Sequence, residues 1–148
     1  MTLHKVAGKK VGEDSADLRL WLEGLEGCPP ITVTALAHCE NPVHGDDPPS
    51  WFYVEGDAQE GVVRRRCLAC GGIKSVLDSE ERWTHPPMRT CSTCGQSMFE
   101  VAGGFHLTDQ GSVDWLALGI RCVGCGTIDG ITDMAANGLS PSDAAAAI

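Results

Sequence analysis

Cys91-Ser92-Thr93-Cys94 and, after twenty-seven intervening residues, Cys122-Val123-Gly124-Cys125 decide how this chain is read. Each Cys-x-x-Cys pair is followed by a glycine, Gly95 or Gly126, and strand-like sequence lies between them. That spacing is the pattern of a four-thiolate zinc ribbon, in which each pair forms one knuckle and the intervening strands close the loop. A closed set of four thiolates leaves no coordination position for water, so the metal it holds stabilises a fold and does not activate a nucleophile. A redox pair and an iron-sulfur centre are the competing uses of the same thiols.

The motif has an internal echo. Residues 66–78, Arg-Cys-Leu-Ala-Cys-Gly-Gly-Ile-Lys-Ser-Val-Leu-Asp, align with residues 121–133, Arg-Cys-Val-Gly-Cys-Gly-Thr-Ile-Asp-Gly-Ile-Thr-Asp, at a constant offset of 55. Repetition at that period marks a duplicated supersecondary unit. The offset carries Cys94 onto Cys39 but Cys91 onto Leu36, so the first unit lacks one cysteine of the simple pattern. His44 is the leading replacement, because Cys39-x4-His44 can fold back over Asn41-Pro42 and bring both side chains to one ion; His38 and Cys28 are the alternatives. The expected ligand sets are Cys39, His44, Cys67 and Cys70 for one Zn2+, and Cys91, Cys94, Cys122 and Cys125 for a second.

Composition sets limits around these sites. The 148 residues are 43 % hydrophobic, enough for one ordinary domain or two small ones, and units of about 50 residues usually need a metal or a disulfide to fold alone. Nothing near Met1 has the apolar run of a signal peptide, so metal thiolates in a reducing cytoplasm are expected in preference to disulfides. Eleven basic against twenty acidic side chains give a net charge of −9. Zinc bound by four thiolates at one site and by three thiolates and an imidazole at the other takes the total to about −12. Such a chain is repelled by a phosphate backbone unless its few bases are grouped, and it suits a basic protein partner. Arg64-Arg65-Arg66 is the one basic run, read either as a solvated strand face near Glu55, Asp57 and Glu60 or as a contact for RNA phosphate or an acidic partner.

The remaining patterns predict a small, mostly β protein of two tandem zinc-ribbon-like modules behind a short amphipathic helix. Leu18, Trp21, Leu22 and Leu25 recur at helical spacing behind an Asp14-Ser15 cap, with the helix ending near Gly24 or Gly27 and packing on the first ribbon or docking a partner. Residues 1–27 form this N-terminal segment, 28–78 the first ribbon, 79–90 a linker, 91–133 the second ribbon and 134–148 an alanine-rich tail. Strands are expected over 31–36, 51–54, 62–66 and 73–77, and in the second ribbon over 98–101, 105–107 and 115–121. Gly103-Gly104 reads as a turn, and the tail as frayed or a terminal turn.

Two resemblances bear on function. His38-Cys39-Glu40 with Cys67-x2-Cys70 resembles the zinc nucleobase deaminases, which implies His38, Cys67 and Cys70 on zinc and Glu40 shuttling protons. Arg66 stands where that family has proline, however, and Gly71-Gly72-Ile73 suits a turn and strand where a deaminase needs a helix. The tandem knuckles with Cys67-Leu68-Ala69-Cys70, the acidic charge and the alanine-rich end resemble the mycobacterial recruitment factor for the ribosome-hibernation protein. That resemblance implies a non-enzymatic adaptor whose partners are the ribosome and the hibernation factor and whose zinc occupancy decides its fate. A zinc-ribbon accessory factor of RNA polymerase is the further alternative. Residues 144–148 also resemble the small apolar tails engaged by ATP-dependent proteases.

Overall fold

The computed structural model describes residues 3–6 and 8–148. Among the described residues nine strands form one antiparallel sheet: β1 (His4–Val6), β2 (Lys9–Val11), β3 (Val33–Leu36), β4 (Phe52–Asp57), β5 (Val62–Cys67), β6 (Ile73–Ser75), β7 (Phe99–Leu107), β8 (Val113–Cys122) and β9 (Thr127–Leu139). The order across the sheet is β1-β2-β9-β8-β7-β4-β5-β6, with β3 also paired to β7. Helices α1 (Ser15–Glu23) and α2 (Pro141–Ala146) complete the fold. No helix among the described residues is long and apolar enough to cross a membrane.

Alternation along β7 and β8 gives the sheet two apolar faces. Ala102 and Ala117 point to the side where Leu18, Leu22 and Ile31 pack. Val101, Phe105, Leu116, Leu118 and Ile120 point to the other side, among Ala144 and Ile148. The α1 boundaries follow from local chemistry: the Asp14 side chain accepts the Asp17 amide, and Gly24 ends the helix. Its apolar residues rest on β7 and β8, whose glycines admit them, and also on Ile31 and β3, the segment that leads into the first Cys-x-x-Cys unit. A Cβ at Gly104 would lie 2.7 Å from Ile31 and one at Gly119 would lie 3.1 Å from Trp21. Gly103-Gly104 is accordingly not a turn. It is the middle of the nine-residue β7, kept free of side chains where Ile31 and Leu22 press on one face and Ile148 on the other.

The alanine-rich end is likewise ordered. Residues 127–139 run as one strand against β8, and α2 is capped by the Ser140 side chain accepting from the Asp143 amide. Ala136, Ala144 and Ile148 are buried. Backbone pairing with β8 holds the strand where apolar volume is small.

The two cysteine-bearing units are not separate modules. β4 and β7 meet at one residue pair, Phe52 and Phe99, and from it the β4–β5 and β7–β8 hairpins extend in opposite directions. Cys67 pairs with Phe52 on one side and Cys122 with Phe99 on the other, so a single row of buried residues, Cys67-Phe52-Phe99-Cys122, crosses four strands. At about 4.8 Å per strand this row is roughly 14 Å long. The lead-in segments cross between units as well: Leu36, three residues before Cys39, pairs with Ala102 of β7, and Met88, three before Cys91, pairs with Glu55 of β4. Ala102 follows Phe99 by three residues, as Glu55 follows Phe52. The fold therefore equates Cys39 with Cys91 and not with Cys94. The 55-residue offset holds at the Cys67 and Cys122 knuckles and shifts elsewhere because the loops between them differ in length.

Candidate metal centres

Three of the four half-sites are the same turn. After Cys67, Cys91 and Cys122 the chain folds so that the amides of Gly71, Gly95 and Gly126 donate to the carbonyls of those cysteines at 2.9, 2.9 and 2.8 Å. All three glycines have positive φ, between 75° and 81°, which explains why glycine follows each pair. The fourth half-site is built differently. Asn41 caps a single 3-10 turn, Pro42–His44, its side chain accepting from the Val43 amide, and this turn swings His44 back toward Cys39. Gly45 closes it at φ 63°.

These turns gather two sets of four donors, Cys39, His44, Cys67 and Cys70, and Cys91, Cys94, Cys122 and Cys125, with the donor atoms of each set within 4.8 Å of one another. In the first, Cys39 Sγ lies 3.7 Å from Cys70 Sγ, and Cys67 Sγ lies 3.7 Å from His44 Nε2. In the second, Cys91 and Cys125 are 3.6 Å apart and Cys94 and Cys122 are 3.5 Å apart. A disulfide needs about 2.05 Å, whereas a tetrahedral ion with sulfur ligands at about 2.3 Å sets them about 3.8 Å apart. The donor sets therefore fit a tetrahedral, thiophilic divalent cation such as zinc.

Burial and hydrogen bonding divide the thiols. Cys67 and Cys122, at the ends of β5 and β8, are buried, while Cys70 and Cys94 at the knuckle tips are exposed. The Gly72 amide donates to Cys70 Sγ at 3.3 Å, and with help from His44 and the neighbouring cysteines this lowers the Cys70 thiol to about 6. Burial acts to raise Cys91, but the amides of Cys94 and Thr93 outweigh it and bring that thiol to about 6. Burial dominates at Cys122 and pushes it up to about 12. Burial thus disfavours the Cys122 thiolate, and a cation held by the four donors would favour it. Around the sulfurs stand polar residues the sequence did not single out: Asn41 Nδ2 donates to Cys70 at 3.6 Å, and Thr127 Oγ1 lies 3.1 Å from Cys125 and 3.0 Å from the Thr93 hydroxyl.

The rival ligands lie elsewhere. Cys28 belongs to neither group; it packs beneath α1, its thiol raised by burial and by Asp133. His38 also lies outside both groups. Glu40 is ion-paired with Lys74 of β6 at 3.1 Å.

The basic run divides as a strand must. Arg64 forms two hydrogen bonds with Glu55, at 2.9 and 3.1 Å, and its guanidinium sits 4.3 Å above the Trp83 ring. Arg66 is exposed. Arg65 points inward, 3 % exposed, over the Phe52 ring, and donates to the main-chain oxygens of His38 and Ile148 at 3.0 and 2.8 Å. Arg65 is thus unavailable to RNA or to a partner, which corrects the reading of three consecutive arginines as one contact. Burial lowers its pKa, while Cys39, Glu40 and Cys67 pull the other way, so it also serves as a counter-cation to the first donor set. Glu100 and Arg121 form a second inward pair at 2.5 Å, from which Arg121 reaches the carbonyls of Gly12 and Glu13 and fastens the N-terminal segment beside the second centre.

Comparison with family models, with curated proteins and with solved structures returns no match, so what the two centres do rests on their own geometry.

Proposed function

We propose that this chain is a non-enzymatic zinc protein, in which two zinc ions staple two interlocked ribbons and the folded surface acts as an adaptor between other macromolecules. The observation that carries this is that each donor set brings four protein ligand atoms within 4.8 Å of one another; a tetrahedral ion held by all four would have no position left for water or substrate. Zinc bound there supplies folding free energy. The deaminase reading needs an open position at the first centre, and in the ligand set proposed here His44 would fill it. It also needs a free carboxylate at Glu40, which is paired with Lys74.

The setting we propose is the cytoplasmic translation machinery, with zinc-dependent recruitment of a ribosome-hibernation factor. Its support is the resemblance carried by the tandem knuckles, together with an acidic charge suited to basic ribosomal proteins. The test is a tagged pull-down from lysate with and without a zinc chelator, with bound zinc counted and partners identified by mass spectrometry. Ribosomal proteins or a hibernation factor enriched only with zinc bound would support the proposal. RNA polymerase subunits in their place would move it to transcription, and deamination of cytidine or adenosine that depends on Glu40 would overturn it.

A further inference from the structure

The two centres differ in what surrounds them. The second is rimmed by the exposed residues Ser92, Thr93, Gln96 and Gly124, with Met88, 47 % exposed, as the large apolar residue of its lead-in. The first carries exposed apolar residues: Val43 is 72 % exposed, Trp51 49 % and Ile73 50 %, and all three belong to the segments that build it. Between Trp51 and the knuckle tip runs an open groove of about 560 Å³ lined by Asp47, Pro48, Pro49, Trp51, Leu68 and Ala69. Its floor is fixed to the metal ligands on both sides. The Cys39 amide donates to the Pro49 carbonyl at 2.9 Å, and the Leu68 amide, next to Cys67, donates to the Trp51 carbonyl at 3.2 Å.

Charge selects the occupant. From His38 to Trp51 the chain holds three acids, Glu40, Asp46 and Asp47, and no lysine or arginine. Glu40 is taken by Lys74, which leaves Asp47 exposed in the groove's lining and Asp46, also exposed, next to it in sequence. Arg66, on β5 two residues before Leu68, is the nearest exposed base in sequence. Pro48-Pro49 stiffens the wall, so little conformational freedom is lost on binding. We propose that this groove docks an extended peptide segment of a protein partner, with one large apolar side chain against Trp51 and Leu68 and flanking lysines or arginines facing Asp46 and Asp47. The proposal rests on the adaptor reading and assigns it a surface. Because the groove's floor is hydrogen-bonded to Cys39 and to Leu68, the residue after Cys67, docking is expected to weaken when the first centre is emptied.

The experiment uses the full zinc-loaded chain, isotopically labelled for amide and indole NMR, and three synthetic peptides: one with a central Phe between two Lys on each side, the same with Phe replaced by Gly, and the same with Lys replaced by Glu. The expected result is shifts at the Trp51 indole, Asp47 and Ala69 with the first peptide. Binding should weaken at least fivefold with either altered peptide, with Trp51→Ala, or with the Asp46→Lys, Asp47→Lys double variant, all at an unchanged zinc content. Shifts confined to other surfaces, equal binding of the Glu peptide, tighter binding of polyuridine RNA at Trp51, or no binding would each overturn it. Partner capture from lysate that survives Trp51→Ala yet is lost on chelation would sink the groove while leaving the adaptor role standing.

Discussion

The Arg65 guanidinium donates to the main-chain oxygen of Ile148 at 2.8 Å, across 83 positions of sequence, while lying over the Phe52 ring. Lys74 donates to the Ala146 carbonyl nearby. Residues flanking the first centre, on β5 and β6, thus hold the C-terminal helix against the sheet. Replacing Arg65 with alanine removes two charge-assisted hydrogen bonds and is expected to cost about 2–3 kcal/mol. Urea unfolding of the zinc-loaded protein measures the loss, and amide exchange should quicken at residues 141–148 first. Uniform quickening across the sheet would show that Arg65 does not act on that helix. Lysine at this position offers one compact ammonium in place of a fork, and should recover less than half of the effect.

The centres should also differ in retention, since three thiolates and a neutral imidazole bring one negative charge fewer to a divalent cation than four thiolates do. Stepwise chelation is expected to empty the first centre before the second, with exchange rising early in α2. His44→Ala should take the protein from two bound zinc ions towards one, and His44→Cys should slow loss from that centre. Simultaneous loss from both, or a His44→Ala variant that still binds two, would contradict the assignment.

Thiol reactivity in the zinc-free protein provides a pH test. The thiolate is the nucleophile, Cys70 is exposed with its thiol lowered to about 6, and Cys122 is buried with its thiol at about 12. Alkylation of Cys70 should be near its maximum at pH 7 and fall about tenfold per unit below pH 6, while Cys122 stays unmodified until the fold opens. The linked stability has opposite signs. A lowered thiol such as Cys70 stabilises the metal-free fold above pH 9, its ordinary value, and that contribution is lost as the pH falls through 6. The raised Cys122 stabilises it below pH 9 and ceases to as the pH rises toward 12. Peptide mapping after timed alkylation gives the order directly, and Cys122 reacting ahead of Cys70 would refute it.

Gly126 combines a φ of 81° with a neighbour that cannot move aside: a Cβ there would lie 2.4 Å from the Gly12 carbonyl oxygen. Gly126→Ala should cost about 3 kcal/mol, part from the left-handed backbone and part from the clash. Gly138 has nearly the same φ, 80°, with open space around it, so Gly138→Ala isolates the backbone part at about 1 kcal/mol. Matching midpoints for the two variants would rule out the contact with Gly12.

How much of this the sequence could tell depends on range. The eight donors brought together are those that Cys-x-x-Cys spacing and the Cys39-x4-His44 turn pick out, because each half-site is built from a few consecutive residues. The α1 boundaries were legible for the same reason, through Asp14 and Gly24. Gly103-Gly104 was misread because the reason for those glycines, Ile31 and Ile148 pressing from outside the strand, lies far away in the chain. Met134-Ala135-Ala136 lacks the apolar bulk that marks a strand and is held by its pairing with β8. Nothing local distinguishes Arg65 from Arg64 and Arg66; only the strand's alternation and the position of Ile148 turn it inward.

The crossed lead-in segments, Leu36 on β7 and Met88 on β4, have the topology of an intertwined dimer whose two copies share one chain. Residues 79–90 hold the copies at a high effective concentration, so the partner strand each half needs is always present and assembly is independent of protein concentration. Cleavage within that connection changes the order of the process. Each half becomes a free strand edge whose best complement is the opposite half of any molecule, and a cut population should trade halves until the pieces are scrambled.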